Sequence, residues 1–253
     1  MESMKLYRAM LKADLWAEWR KSETDQKKGI PAPPPEKPYP HDAILIDLIA
    51  PDQLTVGQMP LIEAIRRRRS RRAFLRQPLT LEELSFLLWA TQGVSKVIRQ
   101  DGGQVIRTLR TVPSGGARHP FETYLLVNRI IGLEPGLYRY LPLEHKLYLL
   151  RSDPDLVEQV HEASNGQYIR DSAVVFIWTA IPYRTEWRYS IVAHKIIAQD
   201  SGHLCQNLYL AAESIGAGTC ALGAYDQAKM DRAIGVDGEE EFVIYMAPVG
   251  KVE

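Results

Sequence analysis

The stretch that decides the fold is AVVFIWTA, from Ala173 to Ala180, in which every residue except Thr179 is apolar. A run of this length without polar alternation predicts a strand buried on both faces. Such a strand lies inside a sheet, so further strands and covering helices must come from the flanking sequence. The candidate strands are Glu122–Asn128 (ETYLLVN), the hairpin GLYRY and HKLYLLR that turns across Leu141–Glu144, and Phe242–Ala247.

Several segments predict the helices that would cover this sheet. Thr80-Leu81-Glu82-Glu83 is a capping box that opens a helix, which Gly93 ends. Residues 190–214 predict one long helix, ended by Gly216 and Gly218, whose apolar residues cover more than one face and so indicate a buried element. Shorter helices are predicted near Leu61, Ile62 and Ile65, after Asp153-Pro154, and over residues 1–22.

The chain before residue 60 has a different character. After the N-terminal helix it becomes charged and then proline-rich (IPAPPPEKPYP), a composition typical of an extended arm that can lie across a partner subunit. We therefore predict two parts: an N-terminal helix with a proline-rich arm over residues 1–59, and a globular domain with helices and strands over residues 60–253.

Composition excludes several classes of protein. Lysine and arginine total 31, as do aspartate and glutamate, so no global field would attract nucleic acid or an acidic membrane. Cys205 and Cys220 make no disulfide framework, and no spacing of cysteine and histidine suggests a metal site. The N-terminus lacks the apolar core of a signal peptide, and no apolar run is long enough to span a bilayer. A soluble, cytoplasmic protein is expected.

The first segment with candidate chemistry runs from Arg66 to Phe74 (RRRRSRRAF). Several guanidinium groups and one hydroxyl within a short stretch can hold a phosphate through charge-assisted hydrogen bonds. The alternative interpretations are a solvated basic face and a patch that binds nucleic acid. The neutral net charge argues against nucleic acid, and the position between an apolar helix and Phe74 favours a fixed pocket.

Two further segments are rich in small residues. In Pro113–Phe121 (PSGGARHPF), glycines let the backbone approach a planar ligand closely, and Ser114 adds a hydroxyl; a tight turn before a strand explains the pattern equally well. In Gly216–Asp226 (GAGTCALGAYD), small residues at a strand end can bring a backbone N–H against a ring nitrogen. His119 has no second ligand at helical or hairpin spacing, which favours a structural role.

These three segments, in this order, resemble the nitroreductase superfamily. The family motif R-x-S-x-[RK]-x-F matches Arg68, Ser70, Arg72 and Phe74, so the resemblance assigns those polar side chains to the phosphate and ribityl groups of FMN. PSGGARHPF resembles the family loop P-S-x-x-N-x-Q-P-W, which reaches the flavin of the neighbouring subunit. The resemblance thus implies flavin contacts for Pro113, Ser114, Gly115 and Ala117. Ala117 and His119 replace the family's polar pair, and this form looks like the SagB-type dehydrogenase branch.

The resemblance extends to the C-terminal part of the chain. LGAYD is similar to the family segment beside the flavin N5, which implies backbone contacts from Leu222, Gly223 and Ala224. Many relatives carry further basic phosphate ligands after the segment that matches PVG (Pro248–Gly250). In this chain Lys251 is the basic residue that follows this segment, so the resemblance implies a phosphate contact for Lys251. The implied fold is α+β and nitroreductase-like: a central, mostly antiparallel sheet flanked by helices, in a homodimer with FMN at the subunit interface.

On the substrate side, the azoline-oxidising members of the SagB-type group carry a Lys-Tyr pair just before the long helix. The matching residues here are Arg188 and Tyr189, the candidate catalytic pair. Arginine gives up a proton far less readily than a desolvated lysine, which counts against azoline oxidation. Tyr189 is either a proton donor or a packing residue. Asp200, His203 and Asn207 share one helix face, but the set is a poor metal site, and a polar lining or satisfied core residues are the favoured interpretations.

The leading hypothesis is an FMN-dependent oxidoreductase. It would transfer hydride between NADH or NADPH and a small-molecule acceptor such as a nitro compound, a quinone or another conjugated molecule. One alternative is a SagB-type dehydrogenase that oxidises a peptide-derived or other heterocycle. Another is a flavin-binding protein without turnover, and the last is a nucleic-acid binder built on the arginine run.

Overall fold

The computed structural model describes residues 2–100 and 102–253, and positions 1 and 101 lie outside this description. The helices are α1 (Glu2–Leu11), α2 (Trp16–Lys21), α3 (Leu61–Arg67), α4 (Leu81–Gln92), α5 (Leu156–Ala163), α6 (Tyr183–Tyr189), α7 (Ala193–Ser214) and α8 (Gln227–Ile234). The strands are β1 (Leu45–Asp47), β2 (Val94–Arg99), β3 (Val105–Arg110), β4 (Phe121–Val127), β5 (Gly136–Leu141), β6 (Lys146–Arg151), β7 (Val174–Ala180), β8 (Ala217–Thr219) and β9 (Phe242–Lys251).

Seven of these strands form one sheet in the order β1-β6-β5-β4-β7-β9-β8, and every neighbouring pair is antiparallel. The α+β class with a central antiparallel sheet is therefore confirmed. β7 lies between β4 and β9, and all seven of its residues are buried, as the apolar run predicted. β2 and β3 form a separate hairpin. Within the described residues, no helix is long and apolar enough to cross a membrane.

Helices cover both faces of the sheet, because alternate residues of each central strand point to opposite sides. Phe176 and Trp178 of β7 belong to the core that α4 and α7 complete, whereas Val175 and Ile177 belong to the core under α5 and α8. Burying each large apolar side chain contributes about 1.5–3 kcal/mol. This two-sided burial fixes α7 across the sheet, where it supports the candidate site.

The structure corrects several boundaries. The helical composition of residues 1–22 corresponds to two helices, separated at residues 12–15. The long helix begins at Ala193 and not at Ser190, because Ser190 has a φ of 45° and starts a 3₁₀ turn after α6. The last strand continues past Ala247 through Lys251. The sequence reading did not include β1, the β2–β3 hairpin, α6 or α8.

The proline-rich arm packs on its own chain. Arg139 donates to the carbonyls of Lys37 and Pro38 at 3.0 Å each, and the carboxylate of Glu36 accepts from the N–H of Leu143 at 3.0 Å. β1 then joins the edge of the sheet beside β6. These contacts tie the arm to the body of the chain, and the division at residue 59 stays a prediction.

The predicted capping box is present and supplies a test of the fold. Thr80 Oγ1 accepts from the N–H of Glu83 at 3.1 Å, and the Glu83 carboxylate accepts from the N–H of Thr80 at 2.9 Å. We expect Thr80→Ala to lower the free energy of unfolding by about 1 kcal/mol, because a backbone donor of α4 loses its partner. Urea unfolding measures this, with Thr80→Ser as the matched control. An equal loss in both variants would refute the capping role.

Glu36 supplies a pH-dependent test of arm docking. Burial is the main reason that the pKa of Glu36 is raised from 4.5 to about 8; the nearby carboxylates of Glu144 and Glu122 add to this rise, while the hydrogen bond from Leu143 opposes it. Because of this raised pKa, the folded state holds a proton that the unfolded state has released between about pH 4.5 and pH 8. This contribution to stability is full below about pH 4.5 and is lost as the pH rises through about 8.

We therefore expect wild-type protein to lose more stability than Glu36→Gln between about pH 5 and pH 8. Urea midpoints at several pH values measure this difference, and the exposed Glu239→Gln is a control with the same charge change. Parallel stability curves for wild type and Glu36→Gln would contradict the prediction.

Candidate functional site

The Arg-Ser segment (residues 66–74) and the glycine segment (residues 216–226) lie side by side. Ser70 forms a parallel bridge with Thr219, and the N–H of Arg71 donates to the Thr219 carbonyl at 2.9 Å. Tyr209 of α7 connects them further: its hydroxyl lies 3.1 Å from Ser70 Oγ and accepts from the N–H of Ala221 at 2.8 Å. The structure thus brings two of the three sequence-predicted segments together through Tyr209, which no local sequence pattern indicates.

Several hydrogen-bond donors at this junction are available to a ligand. When Tyr209 donates to Ser70, the hydroxyl hydrogen of Ser70 is free to donate elsewhere. Gly223 and Ala224 are exposed, and their N–H groups have no acceptor within the described part of the chain. Leu222 differs, because its N–H donates to the Met246 carbonyl at 2.7 Å and its side chain is buried. Gly223 and Ala224 are therefore the better donors of the predicted trio.

The positive charge of the Arg-Ser segment is largely uncompensated. Arg67 pairs with Glu63, but Arg68 and Arg72 form no ion pair among residues 2–100 and 102–253. Arg68 lies over the Tyr209 ring at 5.4 Å, and Arg71 Nε is buried without a hydrogen-bond partner. A cavity of about 490 Å³ is lined by residues 70–75, 252 and 253. Guanidinium groups, a hydroxyl and an orphaned donor beside a cavity fit a phosphate.

Lys251, the other predicted phosphate ligand, is already engaged. Its ammonium forms an ion pair with Glu83 and donates to the Ile215 carbonyl at 2.7 Å. Both charged side chains are largely buried, so moving the ammonium to a ligand would leave Glu83 without its partner. The charge available to a phosphate therefore comes mainly from Arg68 and Arg72.

The proline-serine loop (residues 113–121) is held at a different position on α7. Ser114 Oγ donates to Asp200 Oδ2 at 2.6 Å, and the N–H of Gly115 donates to the same oxygen at 3.0 Å. Ser114 Oγ also accepts from the N–H of His119 at 2.9 Å. Ala117 and His119 both have positive φ values, 53° and 47°. Such backbone strain is common at ligand sites, where surrounding contacts hold it in place.

Arg188 and Tyr189, the candidate catalytic pair, lie against this loop. A Cβ at Gly116 would come within 2.8 Å of the Tyr189 hydroxyl, so the close approach requires glycine. Trp16 and Trp19 of α2 pack on Tyr189 with ring centroids 6.0 and 5.9 Å away, and Trp19 Nε1 donates to the Arg188 carbonyl. The N-terminal segment therefore helps to build this half of the site, which its helical composition alone did not indicate.

The two halves of the site are separated within one chain. Asp200 holds the proline-serine loop and Tyr209 holds the Arg-Ser segment, and they are nine residues apart on α7. At a rise of 1.5 Å per residue this is about 13 Å along the helix axis. The structure therefore does not bring the proline-serine loop to the other two segments.

The remaining polar candidates have structural partners. The pKa of His119 is lowered to about 3, mainly by burial and in part by the charges of Arg110 and Arg118, so His119 is neutral at pH 7. Burial raises the pKa of Asp200, although hydrogen bonds from Ser114 and Gly115 oppose this effect. In the part of the chain that the structure describes, no group of three or more His, Cys, Asp or Glu residues is placed to hold a metal.

Two polar or reactive residues of α7 are likewise accounted for. Asn207 donates to the Ala90 carbonyl at 2.8 Å, which ties α7 to the end of α4. Cys205 is buried and free, as is Cys220 in the glycine segment. Burial raises the pKa of the Cys205 thiol to about 12, so this side chain is an apolar packing residue and not a nucleophile.

Comparisons with known proteins point to one family. The model of the nitroreductase family matches residues 65–251. MJ1384 of Methanocaldococcus jannaschii, assigned to the nitroreductases, is 32% identical over 200 residues, which cover 77% of this chain and 95% of that protein. The trifolitoxin-processing protein TfxB of Rhizobium leguminosarum bv. trifolii is 31% identical over 151 residues, covering 57% of this chain and 40% of TfxB.

A solved structure supports the same assignment. A Ralstonia eutropha protein assigned to the nitroreductases matches with a TM-score of 0.65 and 27% identity, covering 88% of this chain and 99% of the other. The family match, the length of the shared sequence and the antiparallel sheet with its flanking helices all lead to one assignment. The chain belongs to the nitroreductase family of oxidoreductases.

Proposed function

We propose that the protein is an FMN-dependent oxidoreductase that transfers hydride from NADH or NADPH to an organic acceptor, such as a nitro compound, a quinone or another conjugated molecule. The observation that carries this proposal is the junction held by Tyr209, where uncompensated arginines and free backbone donors lie together. Members of this family are flavoproteins. When bound, FMN supplies the redox chemistry, and the chain supplies binding, orientation and electrostatics.

The residues divide into two roles. Arg68, Ser70 and Arg72 would hold the phosphate, because neither arginine forms an ion pair in the described chain, although Glu253 also lines this cavity. The free N–H groups of Gly223 and Ala224 would face the ring system, as the resemblance to the family implies. Neutral or negatively charged residues in place of Arg68 and Arg72 would weaken the attraction for a dianionic phosphate.

A homodimer would complete the site. The proline-serine loop lies about 13 Å along α7 from the Arg-Ser segment in one chain, which supports a second copy as the source of the loop. Leu61, Ile62 and Ile65 of α3 are 64%, 59% and 57% exposed beside α7, an unusual apolar patch for a free surface. Burying this patch against a symmetric copy would bring the two half-sites of different chains together.

A SagB-type dehydrogenase that oxidises a peptide-derived or other heterocycle is the second candidate. It is favoured by the similarity to TfxB, a trifolitoxin-processing protein, and by the form of the proline-serine loop. Arg188 counts against it, because a guanidinium is a poor general base at the position where that group carries lysine. A flavin-binding protein without turnover is the third, and all three share the same flavin site. The free, buried cysteines agree with a cytoplasmic location, which stays a prediction.

The central test is the visible spectrum of the purified, FMN-reconstituted protein before and after NADH or NADPH is added without oxygen. We expect a flavin spectrum that bleaches on reduction. Flavin that stays oxidised with both donors would contradict the reductase activity and favour the dehydrogenase or the non-catalytic protein. Failure to bind FMN at all would refute the proposal.

Variants in the arginine run make this test specific. We expect Arg68→Gln/Arg72→Gln to weaken FMN binding by about tenfold or more, since each charge-assisted hydrogen bond to phosphate contributes about 1.5–3 kcal/mol. The matched control is Arg66→Gln/Arg69→Gln, which removes the same charge from exposed neighbours in the same run. Flavin fluorescence titration measures the affinity for FMN. Equal losses of affinity in both double variants would show that the segment acts only as a general basic surface.

Mixed dimers test whether the site is shared between chains. One chain carries Arg68→Gln/Arg72→Gln and the other carries Ser114→Ala, with different affinity tags so that heterodimers can be isolated. We expect each homodimer to bind FMN weakly. The heterodimer should hold one site of wild-type affinity, because one of its two sites combines the unaltered arginines of one chain with the unaltered Ser114 of the other. A site built within a single chain would give heterodimers with no wild-type site.

A further inference from the structure

A second cavity, separate from the one beside the Arg-Ser segment, lies between the arm, the β2–β3 hairpin, the proline-serine loop and α6. Its volume is about 550 Å³. Three arginines, Arg107, Arg118 and Arg188, line it together with apolar and amide residues, and no carboxylate does. We call this cavity the arginine cleft. Its remaining lining residues include Gln26, Ile30, Gln100, Gln104, Gly116 and Trp187.

None of these three arginines forms an ion pair within residues 2–100 and 102–253. Arg118 is only 6% exposed, and its Nε donates to the Arg184 carbonyl at 2.8 Å. The two terminal nitrogens of Arg118 have no hydrogen-bond acceptor in the described chain, although the side chain borders the cavity. Keeping a nearly buried guanidinium charged costs free energy, and its terminal nitrogens, which retain access to the cleft, can donate to an anion there.

Nearby charges increase this cost. Arg184 lies behind Arg118, and its charge is taken up by the buried carboxylate of Glu122. The pKa of Arg118 is lowered to about 10, mainly by burial, and the positive charges of Arg188, Arg184 and Arg107 contribute to this shift. The surroundings of Arg118 therefore disfavour its charged form, and an anion in the cleft would reverse this effect.

Aromatic contacts orient two of the guanidinium groups without neutralising them. Arg118 lies over the Trp187 ring at 4.7 Å, and Arg188 lies over the Tyr189 ring at 5.4 Å. Trp187 Nε1 in turn donates to the Ile30 carbonyl at 2.9 Å, which fixes the arm as one wall of the cleft. The arginines are thus held in place before any ligand arrives, which lowers the entropy cost of binding.

We propose that the arginine cleft binds the carboxylate or phosphate group of a small anionic substrate. Guanidinium groups match both anions through paired hydrogen bonds, and the volume is that of a small-molecule site. Gly116 lies in the lining and belongs to the loop that contacts Arg188 and Tyr189, so the ligand would lie beside the candidate catalytic pair. Arg188 then acts in binding and not as a base. The redox role of this ligand rests on the proposed function, but anion binding itself does not.

Calorimetry with two probes tests the cleft: pyrophosphate stands for the phosphates of a nicotinamide dinucleotide, and benzoate stands for a carboxylate-bearing acceptor. Benzamide is the neutral control. We expect Arg107→Gln/Arg188→Gln to weaken binding of the preferred probe by about tenfold or more. The matched control is Arg66→Gln/Arg69→Gln, which removes two exposed arginines that line neither cavity and should leave the affinity for that probe unchanged.

The outcomes test anion binding in the cleft separately from the proposed reductase activity. Binding of pyrophosphate or benzoate that the cleft substitutions weaken supports the cleft. The tighter of the two probes then tells whether the cleft takes the phosphates of the donor or the carboxylate of an acceptor. Benzamide binding as tightly as benzoate with no pyrophosphate bound, or binding unchanged by the cleft substitutions, overturns it. Arg107 is exposed, so Arg107→Gln alone keeps the test available if the double variant does not fold. Retained anion binding without flavin reduction would refute the reductase activity and leave the cleft assignment standing.

Discussion

The architecture depends on the complete burial of β7. A strand without a solvent-facing side needs hydrogen-bonded neighbours on both edges and an apolar layer on both faces. β4 and β9 satisfy the edges, while α4 with α7 and α5 with α8 satisfy the faces. Since the chain must meet all four requirements, α7 is held against the centre of the sheet along its 22 residues. Its position is a consequence of packing and does not depend on a ligand.

Two polar side chains on this helix then organise the candidate site. Asp200 holds the proline-serine loop through Ser114 and Gly115, and Tyr209 holds the Arg-Ser segment against the glycine segment. Hydrogen bonds to a charged group are worth about 1.5–3 kcal/mol each. Neither side chain needs to take part in chemistry to matter, because each one fixes a loop whose own sequence is rich in glycine or arginine and has little intrinsic preference for one conformation.

Features encoded locally were predictable from the sequence, and features that depend on distant contacts were not. The apolar run of β7 and the capping box at Thr80 are local patterns, and both are present. The break at Ser190 follows α6, whose position depends on a distant contact. The carbonyl of Trp187 in α6 accepts from the N–H of Gln26, which lies far away in the sequence. The same distinction holds at the site. The arginine motif and the glycine segment could be recognised from their residue types and their order in the sequence. Their connection through Tyr209 is a tertiary contact that only the folded chain shows.

The neutral net charge conceals a strongly uneven distribution. Positive charge is concentrated in the Arg-Ser segment and in the arginine cleft, and acidic runs such as residues 237–241 balance it elsewhere. Because these two basic clusters border separate cavities, they do not form the continuous stripe that nucleic acid would require. Gly116 of the proline-serine loop lines the cleft, so in the proposed dimer the cleft of one chain would lie near the Arg-Ser segment of the other. Their fields would then overlap and attract anionic ligands to the same interface.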